Sequence, residues 1–392
     1  MNFCLRAFAL SASLFLAACA TRAPLPTPAE PIPVPAPAPA PAPAPAILNA
    51  KQAGVELASA VSLASVEAGR ALQAFRQTCP ALLKRQDLSG LTQAADWQAL
   101  CADAAITPPE QASEFFRERF EWAKVGEGKA FATGYYEPEI QGSRLRSVGY
   151  ETPIYSTPSD LVRCTRPDGG TGRGRIDEVG TCVLYYDRAA IEDGALGNRG
   201  LEIGWAADPV DLFVLQIQGS GRVRLPDGGV MRIGYDNQNG REYVGIGRLL
   251  RERNILQPGR ATMQDITAWI RAHPEEGRAL MRENLSYIFF KELNGPGPLG
   301  AMGLPLTPRG SVAADPRFVP LGAPVFLRME RPEATGLWIA QDTGGAIKGA
   351  NRFDTFWGAG EFATHTAGGM SAKGEALILL PKGTVARAKT LP

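Results

Sequence analysis

The stretch QDTGGAIKGANRFDTFWG, Gln341–Gly358, places two carboxylates on either side of a glycine-rich turn. Asp342 and Asp354 are twelve positions apart. Three aromatic residues flank Asp354: Phe353, Phe356 and Trp357. Desolvation by aromatic rings raises the pKa of a carboxyl group, which a general acid at neutral pH requires. Aromatic faces also suit sugar rings, and glycines let a backbone approach a ligand closely. The stretch predicts a carbohydrate site with Asp354 as its acid.

Each of these residues also has a structural interpretation. Asp342 is compatible with a turn or a buried structural carboxylate, and Asp354 with the N-cap of a short helix running towards Ala367. The Asp-Thr-Gly that begins at Asp342 occurs in aspartic proteases, but that chemistry needs two facing aspartates and the sequence has one copy. His365 is either a helper in substrate positioning or a satisfied structural histidine. The sequence leaves these alternatives open.

Two further polar stretches precede this one in the chain. They are TGYYEP, Thr133–Pro138, and QIQGSG, Gln216–Gly221. Amides, hydroxyls and tyrosines are the hydrogen-bonding groups that recognise neutral sugars. In isolation, each stretch is equally compatible with a turn at the end of a strand.

The pattern of apolar residues predicts a helical start followed by a β-rich body. Residues 48–124 are interpreted as helical, with one apolar face built by Leu57, Val61, Ala64, Ala68, Leu72 and Phe75. From Phe131 onward the pattern indicates short strands, including 213–218 and a hairpin over 222–233. Helices return between Thr262 and Asn284, and strands with glycine-rich turns fill 286–392. Strands at this density predict β-barrels.

Composition limits the partners and the number of domains. The 345 residues from Leu48 to Pro392 suffice for about two domains. The whole chain has 41 Lys and Arg against 40 Asp and Glu, and this near-zero charge argues against nucleic acid. The two histidines, His273 and His365, form no cluster, and there is no CxxC pair, so we expect no metal and no cofactor. A monomer is the default expectation.

Four cysteines remain once Cys4 and Cys19 are set aside. They are Cys79, Cys101, Cys164 and Cys182. An even number in an oxidising compartment indicates disulfides, and four cysteines allow three pairings. Proximity in the sequence favours 79–101 and 164–182.

The first fifty residues indicate export and anchoring. After Arg6, an uncharged run of twelve residues, Ala7–Ala18, is too short to cross a bilayer, which needs about 20 residues. Leu-Ala-Ala-Cys ends it at Cys19 and resembles the lipobox of bacterial lipoproteins; the alternative is an ordinary secretion signal with a chance cysteine. The proline-rich segment Pro24–Pro45 predicts a polyproline II stalk of about 70 Å.

Taken together, the three polar stretches have an order that is highly specific. With SYIFFK, Ser286–Lys291, and PLTPRGSVA, Pro305–Ala313, they resemble the membrane-bound lytic murein transglycosylase A family over about residues 130–380. The resemblance implies a double-psi β-barrel, here residues 48–136 and 293–392, with a second β-barrel domain inserted at 137–292. Peptidoglycan would lie in the groove between them. Residues 1–18 would be a signal peptide and 19–47 the lipidated cysteine and linker.

The resemblance also implies a reaction and a set of site residues. The family cleaves the β-1,4 bond between N-acetylmuramic acid and N-acetylglucosamine and leaves a 1,6-anhydro end. Asp354 matches the catalytic aspartate, which acts as single acid and base, and Asp342 would support it. Four residues would line the sugar subsites: Thr133, Tyr136, Gln218 and Ser220. A lipid on Cys19, followed by Ala20, implies the periplasmic face of the outer membrane.

Two other functions stay open at this point. One is a peptidoglycan-binding module without activity on the same barrel. The other is a hydrolytic β-1,4-glycanase, which typically uses two carboxylates across the groove.

Overall fold

The computed structural model describes residues 47–257, 262–295 and 297–390. The predicted secretion signal, Cys19 and the proline stalk lie outside the described residues. The strands are, in chain order, β1 Val55–Ala58, β2 Phe120–Val125, β3 Lys129–Glu137, β4 Glu139–Ser143, β5 Thr152–Tyr155, β6 Val162–Thr165, β7 Thr171–Ile176, β8 Cys182–Val183, β9 Glu202–Ala206, β10 Ser220–Arg224, β11 Val230–Gln238, β12 Ile288–Glu292, β13 Ser311–Ala314, β14 Pro324–Met329, β15 Gly336–Asp342, β16 Arg352–Ala359 and β17 Ser371–Pro381.

Helices cover the start of the described chain and one side of the middle region. In chain order they are α1 Ala50–Ala53, α2 Ser65–Leu82, α3 Gln98–Ile106, α4 Ala112–Arg119, α5 Arg188–Ala190, α6 Pro209–Gln218, α7 Ile246–Glu252, α8 Met263–Ala272, α9 Pro274–Arg282, α10 Glu361–Gly368 and α11 Thr384–Thr390.

Six strands form a closed ring. Their order is β17-β14-β15-β13-β16-β3, and β3 pairs back with β17. The pairs β13–β15 and β16–β3 are parallel, whereas the other four pairs of the ring are antiparallel. Strands β2 and β1 continue the sheet outward from β17. The ring therefore combines strands from before residue 138 with strands from after residue 310.

A second sheet is built from the chain between those two parts. Its order is β12-β11-β10-β4-β9-β5, and its end strands β12 and β5 approach each other. The three strands β6, β7 and β8, which lie between β5 and β9 in the chain, form a separate sheet. The hairpin predicted over 222–233 is confirmed, because Arg224 pairs with Val230 in antiparallel register.

Each sheet has its own apolar core. The largest core fills the ring and continues under α2, where Phe75 packs near Phe116 and Phe120. A second core lies on the other sheet around Val223 and Met231. A third, smaller apolar cluster is separate from these two cores. It consists of Tyr135, Leu306, Ala313, Ile347 and Phe356. This small cluster underlies the site described below.

Both predicted disulfides are present. Cys79–Cys101 ties α2 to α3, and Cys164–Cys182 ties β6 to β8. The helices predicted between Thr262 and Asn284 are also confirmed as α8 and α9. In α8, Thr262 accepts from the backbone of Asp265, whose carboxylate accepts from Thr262 in return.

Two local predictions are wrong. The helix predicted through Leu57 begins only at Ser65, and Leu57 lies in β1 with its side chain largely exposed. The segment 213–218 is not a strand but the second half of α6. Asp208 caps α6 by accepting from the Val210 N–H at 2.7 Å, Pro209 occupies its first position, and Gly219 ends it at φ 81°. Those start signals outweigh the strand-like apolar run.

Candidate active site

Four adjacent strands place the predicted aspartates in one row. On β13, Ala313 pairs with Asp342 of β15 on one side and with Asp354 of β16 on the other, and Asp354 pairs in turn with Thr133 of β3. Neighbouring strands lie about 4.8 Å apart, so the backbones of the two aspartates are separated by about 10 Å. The sheet thereby brings together Asp342, Asp354 and Thr133, which the sequence places up to 221 residues apart.

A β-bulge aims Asp342 towards this row. Val312 pairs with Ala340, but the next residue, Ala313, pairs with Asp342, so Gln341 is the extra residue. The Gln341 side chain turns to the opposite side, where it is fully buried and its Nε2 donates to the Ala74 carbonyl at 3.2 Å. Without the bulge, strand alternation would exchange the directions of these two side chains.

The Asp354 carboxyl is partly buried and has one partnered oxygen. The Thr133 hydroxyl donates to its Oδ1 at 2.6 Å, and Arg352 Nη2 donates to the Thr133 oxygen at 2.9 Å. Burial is the largest influence and raises the pKa of Asp354 to about 6. The Thr133 hydrogen bond and the Arg352 charge lower that pKa, whereas the charge on Asp342 raises it.

The alternative that Asp354 caps a helix is wrong. Asp354 is the third residue of β16, and α10 begins at Glu361 after the N-cap Gly360. The expectation that three aromatic side chains desolvate Asp354 is only partly met. Phe356 lies in the small cluster beside the site, but Phe353 and Trp357 belong to the main core.

The Asp342 carboxylate is fully engaged by donors. Its Oδ1 accepts from the backbone N–H groups of Ala301 at 2.9 Å and Thr343 at 2.8 Å, and its Oδ2 accepts from the Tyr135 hydroxyl at 2.9 Å. These bonds lower the pKa of Asp342, but burial dominates and raises it to about 6. The Tyr135 ring packs on Phe356 at 5.1 Å between centroids, which fixes the phenol in place.

The strand that carries Thr133 is held from behind. The Thr355 hydroxyl donates to the Thr133 carbonyl at 2.9 Å, and the Trp357 indole donates to the Thr355 oxygen at 2.9 Å. Helix α10 packs so closely here that a Cβ on Gly134 would lie 2.9 Å from the Cα of Ala367. Only glycine fits this position, and the contact between β3 and α10 fixes the position of Thr133.

The turn between the two aspartates is anchored at its far end. Asp315, almost fully buried, accepts from the Gly349 N–H at 2.8 Å. Asn351 has a left-handed backbone with φ 58° and donates from its side chain to the Val125 carbonyl at 2.8 Å. Nothing in the local sequence distinguishes Asp315 from other turn aspartates, so its role is not predictable from the sequence.

A loop of the second sheet reaches the same site. We call residues 239–244 the tyrosine loop. Asn239 is fully buried and donates to the carbonyls of Tyr186 and Leu285 at 2.9 Å each, while the Val244 N–H donates to Asn284 Oδ1 at 3.1 Å. Between these anchors, Tyr243 lies against the glycine-rich turn, since a Cβ on Gly345 would lie 3.9 Å from the Tyr243 Cβ. Burial, followed by the charge on Asp354, raises the pKa of Tyr243.

Sequence reasoning missed Tyr243, Tyr135 and Arg352 as site residues. Tyr135 and Arg352 stand inside the quoted stretches, and strand alternation from Thr133 and Asp354 would have identified both. No local signal identifies Tyr243, because its position depends on how the second sheet lies against the ring.

The remaining predicted residues lie near the junction of ring and second sheet. Gln218, the last residue of α6, accepts from the Tyr136 N–H at 3.0 Å. The Tyr136 side chain is buried in the main core, whereas Tyr135 lies in the small cluster. Ser220 is buried at the start of β10. His365 is exposed on α10 without a hydrogen-bond partner among the described residues, and both of its interpretations stay open.

Comparison with known families gives two matches along the chain. Residues 131–291 match the "MltA specific insert domain", and residues 310–380 match the "3D domain". The chain is 28% identical over 337 residues to the membrane-bound lytic murein transglycosylase A of Vibrio cholerae serotype O1, spanning 76% of this chain and 86% of that protein. It is 32% identical over 263 residues to the enzyme of the same name from Escherichia coli K12, spanning 64% and 66% respectively.

Solved structures give the same result for the fold. A membrane-bound lytic murein transglycosylase from Agrobacterium tumefaciens superposes with a TM-score of 0.76 at 32% identity, covering 86% of this chain and 99% of that one. The E. coli MltA structure with bound chitohexaose superposes with a TM-score of 0.63 at 26% identity, covering 84% and 94%. The predicted fold class, two β-rich domains with a helical N-terminal part, is confirmed.

Proposed function

This chain belongs to the membrane-bound lytic murein transglycosylase A family, and from that premise we propose that Asp354 is its single general acid and base. The protein is a lytic transglycosylase that acts on peptidoglycan. The bond cleaved is the β-1,4 link between N-acetylmuramic acid and N-acetylglucosamine. The product on the muramyl side carries a 1,6-anhydro ring.

The proposed reaction uses one proton position twice. Protonated Asp354 donates to the oxygen that leaves with N-acetylglucosamine as the bond to C1 of the muramyl residue breaks. The resulting carboxylate then takes the proton of the muramyl C6 hydroxyl, whose oxygen forms the new bond to C1. Asp354 ends the reaction protonated, as it began, and no water is consumed.

The strongest support is the state of the Asp354 carboxyl. Burial raises its pKa to about 6, so a protonated fraction exists near neutral pH. Only its Oδ1 is hydrogen-bonded within the described residues, by Thr133, and Oδ2 is left for a substrate oxygen. The same carboxyl can donate first and accept afterwards without turning.

Asp342 serves as the supporting carboxylate in this proposal. Three hydrogen bonds occupy three of about four acceptor positions on it. It is therefore poorly placed to activate a water molecule, which a second acid in a hydrolase would have to do. Its charge instead helps to raise the pKa of Asp354. This difference favours the transglycosylase mechanism over the hydrolytic alternative.

We further propose that the glycan lies across the row of strands and against the second sheet. Thr133, Tyr136, Gln218 and Ser220 remain the proposed subsite residues, and Tyr243 joins them because it lies against the glycine-rich turn between the two aspartates. Support comes from the junction itself, where Gln218 of α6 meets the backbone of β3. The E. coli relative carries a bound chitohexaose, an oligosaccharide with β-1,4 links.

The domain division and the anchoring are proposals of the same kind. We assign residues 48–136 and 293–392 to the double-psi barrel and 137–292 to the inserted barrel. We also propose that a lipid on Cys19 and the linker 19–47 hold a monomeric body at the periplasmic face of the outer membrane. Relatives are named as membrane-bound. None of the helices in the described residues combines the length and apolar character that a membrane crossing requires.

The decisive experiment is digestion of purified murein sacculi followed by mass spectrometry of the soluble products. The wild-type protein should release 1,6-anhydromuropeptides, and Asp354→Asn should release none while remaining folded. Asp227→Asn is a matched control, because Asp227 is exposed in a hairpin turn and asparagine can still accept from the Gly229 N–H. Products with reducing muramyl ends, or full turnover by Asp354→Asn, would refute the proposal.

A further inference from the structure

The three-stranded sheet β6-β7-β8 forms one side of an open surface depression of about 510 Å³. We call it the arginine pocket, and three arginines and two aspartates line it: Arg166, Arg175, Arg241, Asp168 and Asp177. The Cys164–Cys182 disulfide ties the two outer strands of this sheet together. The active-site chemistry described above uses none of these residues.

Two of the three guanidinium groups lack an acidic partner within residues 47–257, 262–295 and 297–390. Arg175 lies over the Tyr186 ring at 4.7 Å, and its buried Nε has no hydrogen-bond partner among the described residues. Arg241 donates from Nε to the Tyr185 carbonyl at 2.6 Å. It forms no ion pair with any residue that the structure describes. A buried N–H without a partner costs free energy, and such a group indicates a missing ligand or water.

The two aspartates of the pocket leave one positive charge uncompensated. Asp177 accepts from the N–H groups of Val179 and Thr181 and so holds a turn. Asp168 lies 3.6 Å from Arg166, at the outer edge of an ion pair. Three arginines against two aspartates give a formal charge of +1. That charge matches one carboxylate better than a doubly charged phosphate.

The tyrosine loop connects this pocket to the catalytic row. Arg241 lines the pocket, and Tyr243, two residues later, lies against the glycine-rich turn between the two aspartates, where a Cβ on Gly345 would lie 3.9 Å from the Tyr243 Cβ. Two residues span at most about 7 Å. Gly240 packs so tightly on β7 that a Cβ there would lie 2.6 Å from the Arg173 Cβ, which fixes the loop against the three-stranded sheet. The tyrosine loop therefore lies against the pocket at Arg241 and against the glycine-rich turn at Tyr243.

We propose that the arginine pocket binds a carboxylate of the peptide attached to the muramyl residue at the cleavage site. The inference rests on the proposed function, because the peptide is positioned by the glycan bound at Asp354. Guanidinium groups bind carboxylates through paired hydrogen bonds, and Arg175 and Arg241 offer the unused N–H groups that such binding needs. A peptide of three residues spans about 10 Å, which exceeds the backbone distance between Arg241 and Tyr243.

The test compares Arg175→Gln with the wild type on two substrates. One is a set of glycan strands with their peptides, and the other is the same strands after an amidase has removed the peptides. The variant should raise KM about tenfold on the peptide-bearing strands and leave KM on peptide-free strands unchanged. Arg163→Gln is the matched control, because Arg163 is exposed on β6 of the same sheet and does not line the pocket. It should change neither KM.

Three results would overturn the inference. Equal KM values for Arg175→Gln and wild type on both substrates would show that the pocket contacts no peptide. An equal loss on both substrates, with a lowered melting temperature, would show that Arg175 acts through the fold. A wild-type protein that cleaves peptide-free strands as efficiently as peptide-bearing strands would also exclude the contact. Failure to form 1,6-anhydro ends from either substrate would instead refute the proposed function.

Discussion

Replacing the proposed catalytic acid should stabilise the protein at neutral pH. Burial raises the pKa of Asp354 to about 6 from an ordinary 3.8. Ionising this group in the folded protein is therefore unfavourable relative to the unfolded chain. Asp354→Asn keeps the size of the side chain and an oxygen that accepts from Thr133, but it cannot ionise. The variant avoids a free-energy penalty that the wild-type protein carries.

The sign and size follow from the two pKa values. Below about pH 3.8 the carboxyl is protonated in both states and contributes nothing to the difference. Between that pH and about 6 the unfolded chain ionises first, so the wild-type protein loses stability as pH rises. A pKa difference of about 2 corresponds to about 3 kcal/mol, since one unit is about 1.4 kcal/mol. Asp354 is partly exposed, and solvent screening reduces the expected effect to about 1–2 kcal/mol.

The assay is urea unfolding of wild type and Asp354→Asn, with disulfides intact, at several values from about pH 4 to about pH 8. The stability gain of the variant should grow from about pH 4 to about pH 6 and then stay constant up to about pH 8. Any constant offset reflects the amide itself, so only the pH-dependent part is diagnostic. Asp227→Asn, in an exposed turn, should show no such growth. A gain for Asp354→Asn that is independent of pH would refute the burial argument.

The remaining predictions concern rate and fold. The rate of anhydromuropeptide release by wild type should fall as pH rises through about 6, because Asp354 then loses the proton it donates; a rate that rises instead contradicts its role as acid. Tyr135→Phe removes one hydrogen bond from Asp342 but keeps the ring packed on Phe356, so kcat should fall about tenfold without loss of melting temperature; an unchanged kcat would mean that Asp342 needs no such support. Arg188→Met removes a buried guanidinium that donates three hydrogen bonds, and urea unfolding should show a loss of at least about 3 kcal/mol; a loss below about 1 kcal/mol would contradict that.

The burial of Asp354 and its raised pKa are in line with the sequence, because the local setting of this carboxyl is distinctive. Asp354 stands between glycines and aromatic residues, and that pattern suggests an acid with a raised pKa. The reason for the raised pKa was only partly foreseeable. Phe353 and Trp357 neighbour Asp354 in sequence, yet both pack into the main core because side chains alternate along β16. Burial of Asp354 comes instead from the strands and the loop that surround it.

Contacts between distant segments could not be predicted. Thr133 and Asp354 are 221 residues apart, and their hydrogen bond depends on the parallel pairing of β3 with β16. Tyr243 comes from the second sheet and has no motif of its own.

The prediction of a strand in place of helix α6 is wrong for a different reason. Its apolar run is buried on most sides and lacks a clear helical period, so only the Asp208-Pro209 start marked it as a helix.

The two raised pKa values gain a mechanistic meaning from the partners of each carboxyl. A group that gives a proton and then takes one needs an oxygen that faces the substrate, and it needs a donor already in place for the charge that develops. Asp354 meets both needs, because Oδ2 is unpartnered in the described residues and Thr133, oriented by Arg352, donates to Oδ1. Asp342 has donors in place, but it has no free oxygen for the substrate, since both of its oxygens accept hydrogen bonds. Identical pKa values of about 6 therefore describe unequal groups, and hydrogen bonding decides which of the two we assign as the acid.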